Sequence, residues 1–191
     1  TGLGFGTTFE QYENLYFSPE ITTSFEDLET TSTASKNLKK QEGEYFDLYF
    51  NYGLNYDLTN QRYKPSEGYR TTFSQELPIS SENNELGNSF SVSKYKKLPS
   101  EMIGKISFFY STVNTVSSDA DVRISKRLYL PTNKLRGFEA GKIGPIENDD
   151  FIGGNQISAI NLSTTLPQIF PSLQNTDVSL FFDAANVWGV D

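Results

Sequence analysis

Few side chains in this sequence suit covalent chemistry. Its 191 residues include no His and no Cys, which excludes the usual zinc sites, Cys or His nucleophile–base pairs, haem ligation through His, and disulfides. Asp149, Asp150 and Glu147 could together bind a cation, but a solvated loop is the better interpretation of these acids. No carboxylate pair stands out for acid–base work. The sequence therefore singles out no catalytic residues, and we expect no metal or cofactor.

The most distinctive polar motif is Arg136-Gly137-Phe138, which lies in the longest predicted loop and is followed by a Gly-Pro pair at 144–145. A guanidinium is always charged and can bind a carboxylate through two hydrogen bonds. Glycine would let the backbone turn at the tip of the loop. The alternative is an ordinary solvated loop arginine.

A strict alternation of apolar and polar residues dominates the chain and predicts β-strands. Eight are predicted, at 2–12, 16–29, 44–58, 68–80, 88–98, 102–117, 153–166 and 177–190. Several exceed ten residues, whereas strands of soluble sheets usually have about five or six and a strand crossing a bilayer needs about 9–11. The pattern favours an all-β, antiparallel transmembrane barrel. A soluble β-sandwich binding module remains the alternative of another class.

The alternation also predicts which side chains face lipid and which face the lumen. The apolar set expected to face lipid comprises Phe46, Leu48, Phe50, Leu54, Ile106, Phe108, Leu180 and Phe182. The polar set expected to face the lumen comprises Asp47, Asn51, Asn55, Lys105 and Asp183.

The connections support the same architecture. The long segments 30–43 and 118–152 fall on one side of the sheet, and the tight turn at 98–101 falls on the other, as in outer-membrane barrels. Pro65 and Gly68 form a Pro-x-x-Gly turn between two strands, since proline presets φ and glycine supplies a positive φ. The short 81–87 connection fits the pattern less well, because it lies on the long-loop side.

Net charge and composition exclude some classes of binding partner. The formal net charge of −8 argues against nucleic acid, which requires a basic face. An aromatic content of 14% argues against disorder. No run of 18 apolar residues and no signal peptide is visible. The chain does not begin with Met and ends directly after a strand pattern, so we expect a fragment lacking both ends of its domain.

Three motifs in this order resemble the BamA family of outer-membrane protein assembly factors. They are the Arg136-Gly137-Phe138 loop, the Gly153-Gly154-Asn155 strand start, and the Phe-x-Asp strand that contains Asp183. The resemblance implies that residues 1–191 are about half of a single outer-membrane barrel, without its POTRA domains and terminal strands. It also implies a bacterial outer-membrane location and the folding and insertion of other β-barrel proteins. Unfolded barrel substrates, accessory lipoproteins and the lipid bilayer would be the partners.

The resemblance further implies that the Arg-Gly-Phe loop folds back into the lumen, where Arg136 contacts Asp183 and Phe138 anchors the tip on the wall. Two positions depart from the family pattern. Ser163 stands where a second wall acid is expected, and Ala185 replaces a frequent glycine. A TamA-type autotransporter-assembly barrel and a two-partner secretion pore remain open as alternative functions.

Overall fold

The computed structural model describes residues 1–32, 34, 36–117, 120–167 and 176–190. The strands are β1 Gly2–Gly6, β2 Phe9–Tyr12, β3 Leu15–Leu28, β4 Gly43–Asp57, β5 Gly68–Ser80, β6 Glu85–Lys97, β7 Ile103–Thr115, β8 Ile146–Glu147, β9 Asp150–Phe151, β10 Gln156–Thr165 and β11 Ser179–Trp188. A short helix α1 spans Lys36–Lys39, and a single 3-10 turn spans Ile124–Lys126. Within this described part, no helix is long and apolar enough to cross a membrane.

One antiparallel sheet contains nine of the eleven strands, in the order β1-β3-β4-β5-β6-β7-β10-β11. β2 pairs with β3 beyond the end of β1, so the two short strands together form one edge position. Strands that follow one another in sequence therefore lie side by side, which is the meander that alternating hairpins produce. Among the described strands, β1 and β11 are the free edges. The sheet is thus open, which confirms the predicted all-β, partial antiparallel barrel.

The two faces of the sheet differ in what covers them. Segment 120–155 folds back over one face, which we call the inner face, and Tyr45, Asp47 and Tyr49 are buried there. On the opposite, outer face, Phe46 and Phe182 remain about 60% exposed. The outer face carries large apolar side chains along every long strand, with no second layer packed on it in the described part. That arrangement suits lipid contact and contradicts the soluble β-sandwich.

The observed strands correct the sequence-based bounds at several places, and the predicted strand 2–12 is divided into β1 and β2. β6 begins at Glu85, three residues earlier than predicted. The 81–84 connection is therefore a tight turn, in which the carbonyl oxygen of Asn84 accepts a hydrogen bond from the Val116 N–H. β10 begins at Gln156, because the preceding glycines pair with the loop. The small β8–β9 hairpin inside the long loop was not predicted. Residues 168–175, between the last two predicted strands, lie outside the described residues.

A small apolar core lies between the inner face and the folded-back loop. Leu130 from the loop, Ile157 from β10 and Val187 from β11 are each at most 6% exposed and form its centre. Partly buried apolar residues from both layers pack around them: Phe109, Leu128, Leu135, Ile143 and Ala185. This core holds the loop flat against the strands that present the polar residues of the site.

Candidate functional site

The loop tip is joined to the sheet by an arginine–carboxylate pair. Arg136 Nε donates to Asp183 Oδ2 and Arg136 Nη2 donates to Asp183 Oδ1, each at 2.7 Å. The Arg136 backbone N–H also donates to Oδ2, at 3.1 Å. The guanidinium lies over the ring of Phe181, 3.7 Å from its centroid. The hydrogen bonds to Asp183 raise the Arg136 pKa, so this side chain remains a cation at any physiological pH.

The position of Asp183 in β11 directs its side chain to the inner face, where Arg136 can reach it. In β11 the odd-numbered residues face inward, and Asp183 pairs across the ladder with Asn161 of β10. Asn161 Nδ2 donates to Asp183 Oδ1 at 2.9 Å and to the Lys134 carbonyl oxygen at 2.8 Å. The Asp183 side chain is therefore only 2% exposed, while that of Arg136 is 37% exposed. Asn161 thus supports both the carboxylate and the loop backbone.

Asn161 is the wall residue that sequence reasoning missed. The position expected to hold a second acid was Ser163, but Ser163 pairs across the ladder with Phe181. In the described part of the chain, Ser163 makes no hydrogen bond to Arg136. An amide at Asn161 donates to Asp183, whereas a second carboxylate would repel it. Ala185, the other departure from the family pattern, packs against the apolar core.

The two remaining residues of the loop motif differ in their surroundings. Gly137 has φ of +86°, a left-handed conformation that glycine adopts without steric cost. Phe138 is 59% exposed, so it makes little contact with the described wall, and its role as an anchor stays a prediction. Leu135 and Ile143 pack against the apolar core instead. Residues on either side of the motif therefore attach the loop to the apolar core.

Lys134, the residue two positions before Arg136, packs its side chain against an aromatic ring. Its ammonium lies 4.6 Å from the ring centroid of Phe109. Burial, together with the charge of Lys105, lowers the Lys134 pKa. The amine is held by its contact with the aromatic face, since no carboxylate lies within salt-bridge distance of it in the described part of the chain.

Gly153, Gly154 and Asn155 come immediately before β10 and connect it to the loop. The Gly154 N–H donates to the Leu128 carbonyl oxygen at 3.0 Å, and the Leu128 N–H donates to the Gly154 carbonyl oxygen at 2.8 Å. A Cβ at Gly154 would lie 2.7 Å from the Trp188 carbonyl oxygen. The close approach of three backbones thus requires glycine here, and it fixes where the loop leaves the sheet.

The predicted Pro-x-x-Gly turn closes the hairpin between β4 and β5. Gly68 has φ of +95°, and a Cβ there would lie 2.1 Å from the Leu58 carbonyl oxygen. Asn60 Oδ1 accepts hydrogen bonds from the backbone N–H groups of Ser66 and Glu67. Pro65 precedes these two donors. The side chain of Asn60 thus organises a turn for which the sequence indicated only Pro65 and Gly68.

A second arginine joins the beginning of the same loop to the wall. Arg123 is 1% exposed and its Nη2 donates to Asp47 Oδ2 at 2.6 Å. Glu85 Oε1 lies 3.6 Å from Arg123 Nε, and Glu26 Oε2 lies 3.8 Å from Nη1. The ring of Tyr45 stacks 4.3 Å from the guanidinium carbon. Arg123 therefore lies among carboxyl groups contributed by three different strands, β3, β4 and β6.

Electrostatics make Arg123 the cation on which this cluster depends. Burial would lower the Arg123 pKa, but the hydrogen bond to Asp47 and the charges of Glu85, Asp47 and Glu26 outweigh burial and raise it. Asp47 and Glu85 are both fully buried. Carboxylates in such surroundings are costly unless a cation accompanies them. Tyr49 adds a hydrogen bond from its hydroxyl to Glu85 Oε2, at 3.1 Å.

The residues that follow Arg123 extend the same attachment. The Ile124 N–H donates to Gln41 Oε1 at 2.7 Å, and Ser125 Oγ donates to Glu26 Oε2 at 2.8 Å. Lys126 Nζ lies 3.3 Å from Glu76 Oε1 and 4.1 Å from the ring centroid of Tyr49. Sequence reasoning placed Asp47 on the inner face but assigned it no partner, and it did not single out Arg123.

The fold and the site define a partial transmembrane-type β-barrel whose longest loop is folded inward and held by two arginines. Residues 1–191 match the Omp85 superfamily domain, and the chain belongs to that superfamily. Its fold is similar to that of BamA from Haemophilus ducreyi lacking POTRA domains 1–3, with a TM-score of 0.82 and 23% sequence identity. The match covers 98% of this chain and 41% of that chain. The resemblance to a BamA-like barrel fragment is therefore confirmed.

Proposed function

We propose that this chain is part of a bacterial outer-membrane barrel that folds and inserts other β-barrel proteins into the outer membrane. The observation that carries the proposal is the inward loop with its Arg136–Asp183 pair, in a chain of the Omp85 superfamily. Within that superfamily, we favour an assembly factor of the BamA type. The chain spans less than half of the BamA structure that it matches, so the activity belongs to the larger protein.

The proposed mechanism is physical and breaks no covalent bond, so the protein is not an enzyme. An exposed strand edge can pair with a strand of an incoming substrate through main-chain hydrogen bonds. The inward loop would stiffen the wall behind β7, β10 and β11 while the barrel edge performs that pairing. Its partners would be unfolded barrel proteins, the lipid bilayer and accessory lipoproteins.

The proposal is tested in the intact protein reconstituted into liposomes. The assay follows the folding of an added β-barrel substrate, which acquires resistance to protease and migrates faster on a gel when unheated. Loss of the loop contact through Arg136→Ala should lower the rate of substrate folding, while the variant barrel itself remains folded. Unchanged substrate folding in that variant would contradict a role for the pair.

The same preparation separates the alternatives inside the superfamily. A TamA-type barrel would restrict its effect to autotransporter substrates, and a two-partner secretion pore would translocate a soluble exoprotein without inserting any barrel. A general assembly factor should accelerate the folding of several unrelated barrels. Acceleration of none of them would refute the proposal.

A further inference from the structure

The outer face of the sheet has an uneven distribution of charge. Its outward positions carry only four charged side chains across strands β3 to β7, β10 and β11. Asp27 and Glu44 pair directly beside the 29–42 connection. Lys94 and Lys96 lie at the opposite end, beside the tight turn that joins β6 to β7. The only outward cations of these strands are thus two neighbours at one end of the apolar band.

Lys94 stands at the border of that band. It pairs across the ladder with Tyr69 of β5, whose ring lies 6.0 Å from that of Tyr56. Outward tyrosines of this kind mark the level of the lipid headgroups in barrels. Lys96 lies two residues further along β6, beyond the tyrosines. A lysine at this level extends its ammonium towards the headgroups while its stem covers apolar surface.

A cavity of about 480 Å³ opens beside the two lysines. Apolar residues from the three strands next in the sheet line it, including Ile106, Leu162 and Phe182, and no Asp or Glu is among its lining residues. Lys94 and Ile106 are register partners, as are Leu162 and Phe182. The cavity therefore has lysines at one end and an apolar trough along the rest, formed by Ile106, Leu162 and Phe182, which are successive cross-strand neighbours of Lys94.

The two lysines have no carboxylate partner in the described part of the chain. Their neighbour Lys97 faces inward and lies 3.7 Å from Glu67, so this nearby carboxylate pairs with Lys97 instead. Lys94 and Lys96 are both exposed. Two unpaired ammonium groups above an apolar trough match a molecule with an anionic head and an acyl tail.

We propose that Lys94, Lys96 and the trough beside them form a binding site for a membrane phospholipid, with the lysines on its phosphate and an acyl chain against Ile106, Leu162 and Phe182. The proposal requires that the sheet stand in a bilayer, but it does not depend on assembly activity. Two lysines near an anionic lipid contribute enough attraction to change affinity by roughly tenfold to thirtyfold.

The test uses the intact protein in detergent micelles, with bound lipid counted by native mass spectrometry. Phosphatidylglycerol is compared with diacylglycerol of the same acyl chains, which lacks the phosphate. Lys94→Gln with Lys96→Gln should weaken phosphatidylglycerol binding by about tenfold or more and leave diacylglycerol binding unchanged. The matched control is Lys97→Gln, one residue along the same strand on the other face, which should bind phosphatidylglycerol like the unmodified protein.

Two further variants separate charge from folding. Lys94→Arg with Lys96→Arg keeps both charges and should retain phosphatidylglycerol binding, and gel migration before and after heating reports whether each variant is folded. Thr164→Trp, which fills the trough, should weaken the binding of both lipids. Equal phosphatidylglycerol binding by the unmodified protein and the double glutamine variant would overturn the proposal, as would an equal loss in Lys97→Gln. The surface would then be free for an acidic protein partner instead.

Discussion

Arg123 and Arg136 belong to the same loop and both contact acids of the inner wall, yet their surroundings differ. Arg123 has a side chain 1% exposed among carboxylates that are themselves buried. Arg136 is 37% exposed, and it reaches a carboxylate that is 2% exposed. Arg123 thus provides a positive charge where water is excluded. Arg136 instead forms well-aligned hydrogen bonds at a site that water can reach.

The hydrogen bonds show the same contrast. Arg136 engages both oxygens of Asp183 with its fork. Arg123 makes one short hydrogen bond, to Asp47, and its Nε and Nη1 have no hydrogen-bond partner among the described residues. The cluster around Arg123 is therefore stabilised mainly by charge compensation. We infer that the loop is fixed at its beginning, and that the tip can exchange its contact for water at a smaller cost.

The largest effect is expected from Arg123→Ala. Removing the cation leaves Asp47 and Glu85 buried without compensation, which typically costs about 3–5 kcal/mol. Urea unfolding of the intact protein in detergent, followed by gel migration without heating, measures the change in unfolding free energy. The exposed loop residue Lys142 offers a matched control as Lys142→Ala, which should change stability by less than about 0.5 kcal/mol.

A neutral replacement shows whether charge is the cause. Arg123→Met combined with Asp47→Asn and Glu85→Gln removes the cation and both buried anions together. Such replacements of buried ionic groups are often neutral or stabilising, so most of the stability lost in Arg123→Ala should return. If the triple variant is as unstable as the single one, packing around Arg123 matters more than its charge.

The next effect tests whether both arginines lie on the lumen side of a membrane barrel. Phe50→Arg places a charge on the outer face and should cost roughly 2–4 kcal/mol near the middle of a bilayer. Ser89→Arg is the control, because Ser89 lines an inner cavity of about 470 Å³ and should tolerate the charge better. Both are measured by unfolding in lipid vesicles, and equal costs would contradict the assignment of the faces.

A smaller effect on stability is expected at the loop tip. Arg136→Ala or Asp183→Ala should each cost about 1.5–3 kcal/mol, the range of a hydrogen bond to a charged group, and should lower substrate folding to a similar extent. The double variant should be little worse than either single variant, and Arg136→Lys should rescue only partly, since lysine lacks the planar fork. Additive losses in the double-mutant cycle would show that the two residues act independently.

The smallest effect on stability is expected when a residue of the Arg-Gly-Phe motif is compared with a residue beside it. Leu135 packs against the apolar core, so Leu135→Ala should destabilise the protein by about 1–2 kcal/mol, less than at a fully buried site. Phe138→Ala should change stability by at most about 0.5 kcal/mol, because Phe138 is largely exposed. Both variants are compared by the same urea unfolding. A larger loss for Phe138→Ala than for Leu135→Ala would support the wall-anchoring role that the family resemblance implies.

The strands were predictable because their information is local. A period of two along 44–58 is visible in the residues themselves, and the observed β4 is Gly43–Asp57. The same parity places Asp47 and Asp183 on the inner face. The expected contact of Arg136 with Asp183, by contrast, came from the family resemblance, since nothing in the residues links two positions separated by 47 residues.

Tertiary structure alone decided the partners on the inner wall. Arg123 and Asp47 are 76 residues apart, and only the fold-back of the loop across β4 and β6 brings them together. Asn161 becomes the neighbour of Asp183 through the register of β10 and β11, which a pattern of alternation does not specify. Phe138 is exposed, whereas Leu135 and Ile143 pack against the core. Alternation determines which face a side chain joins, whereas loop path and strand register determine what it meets there.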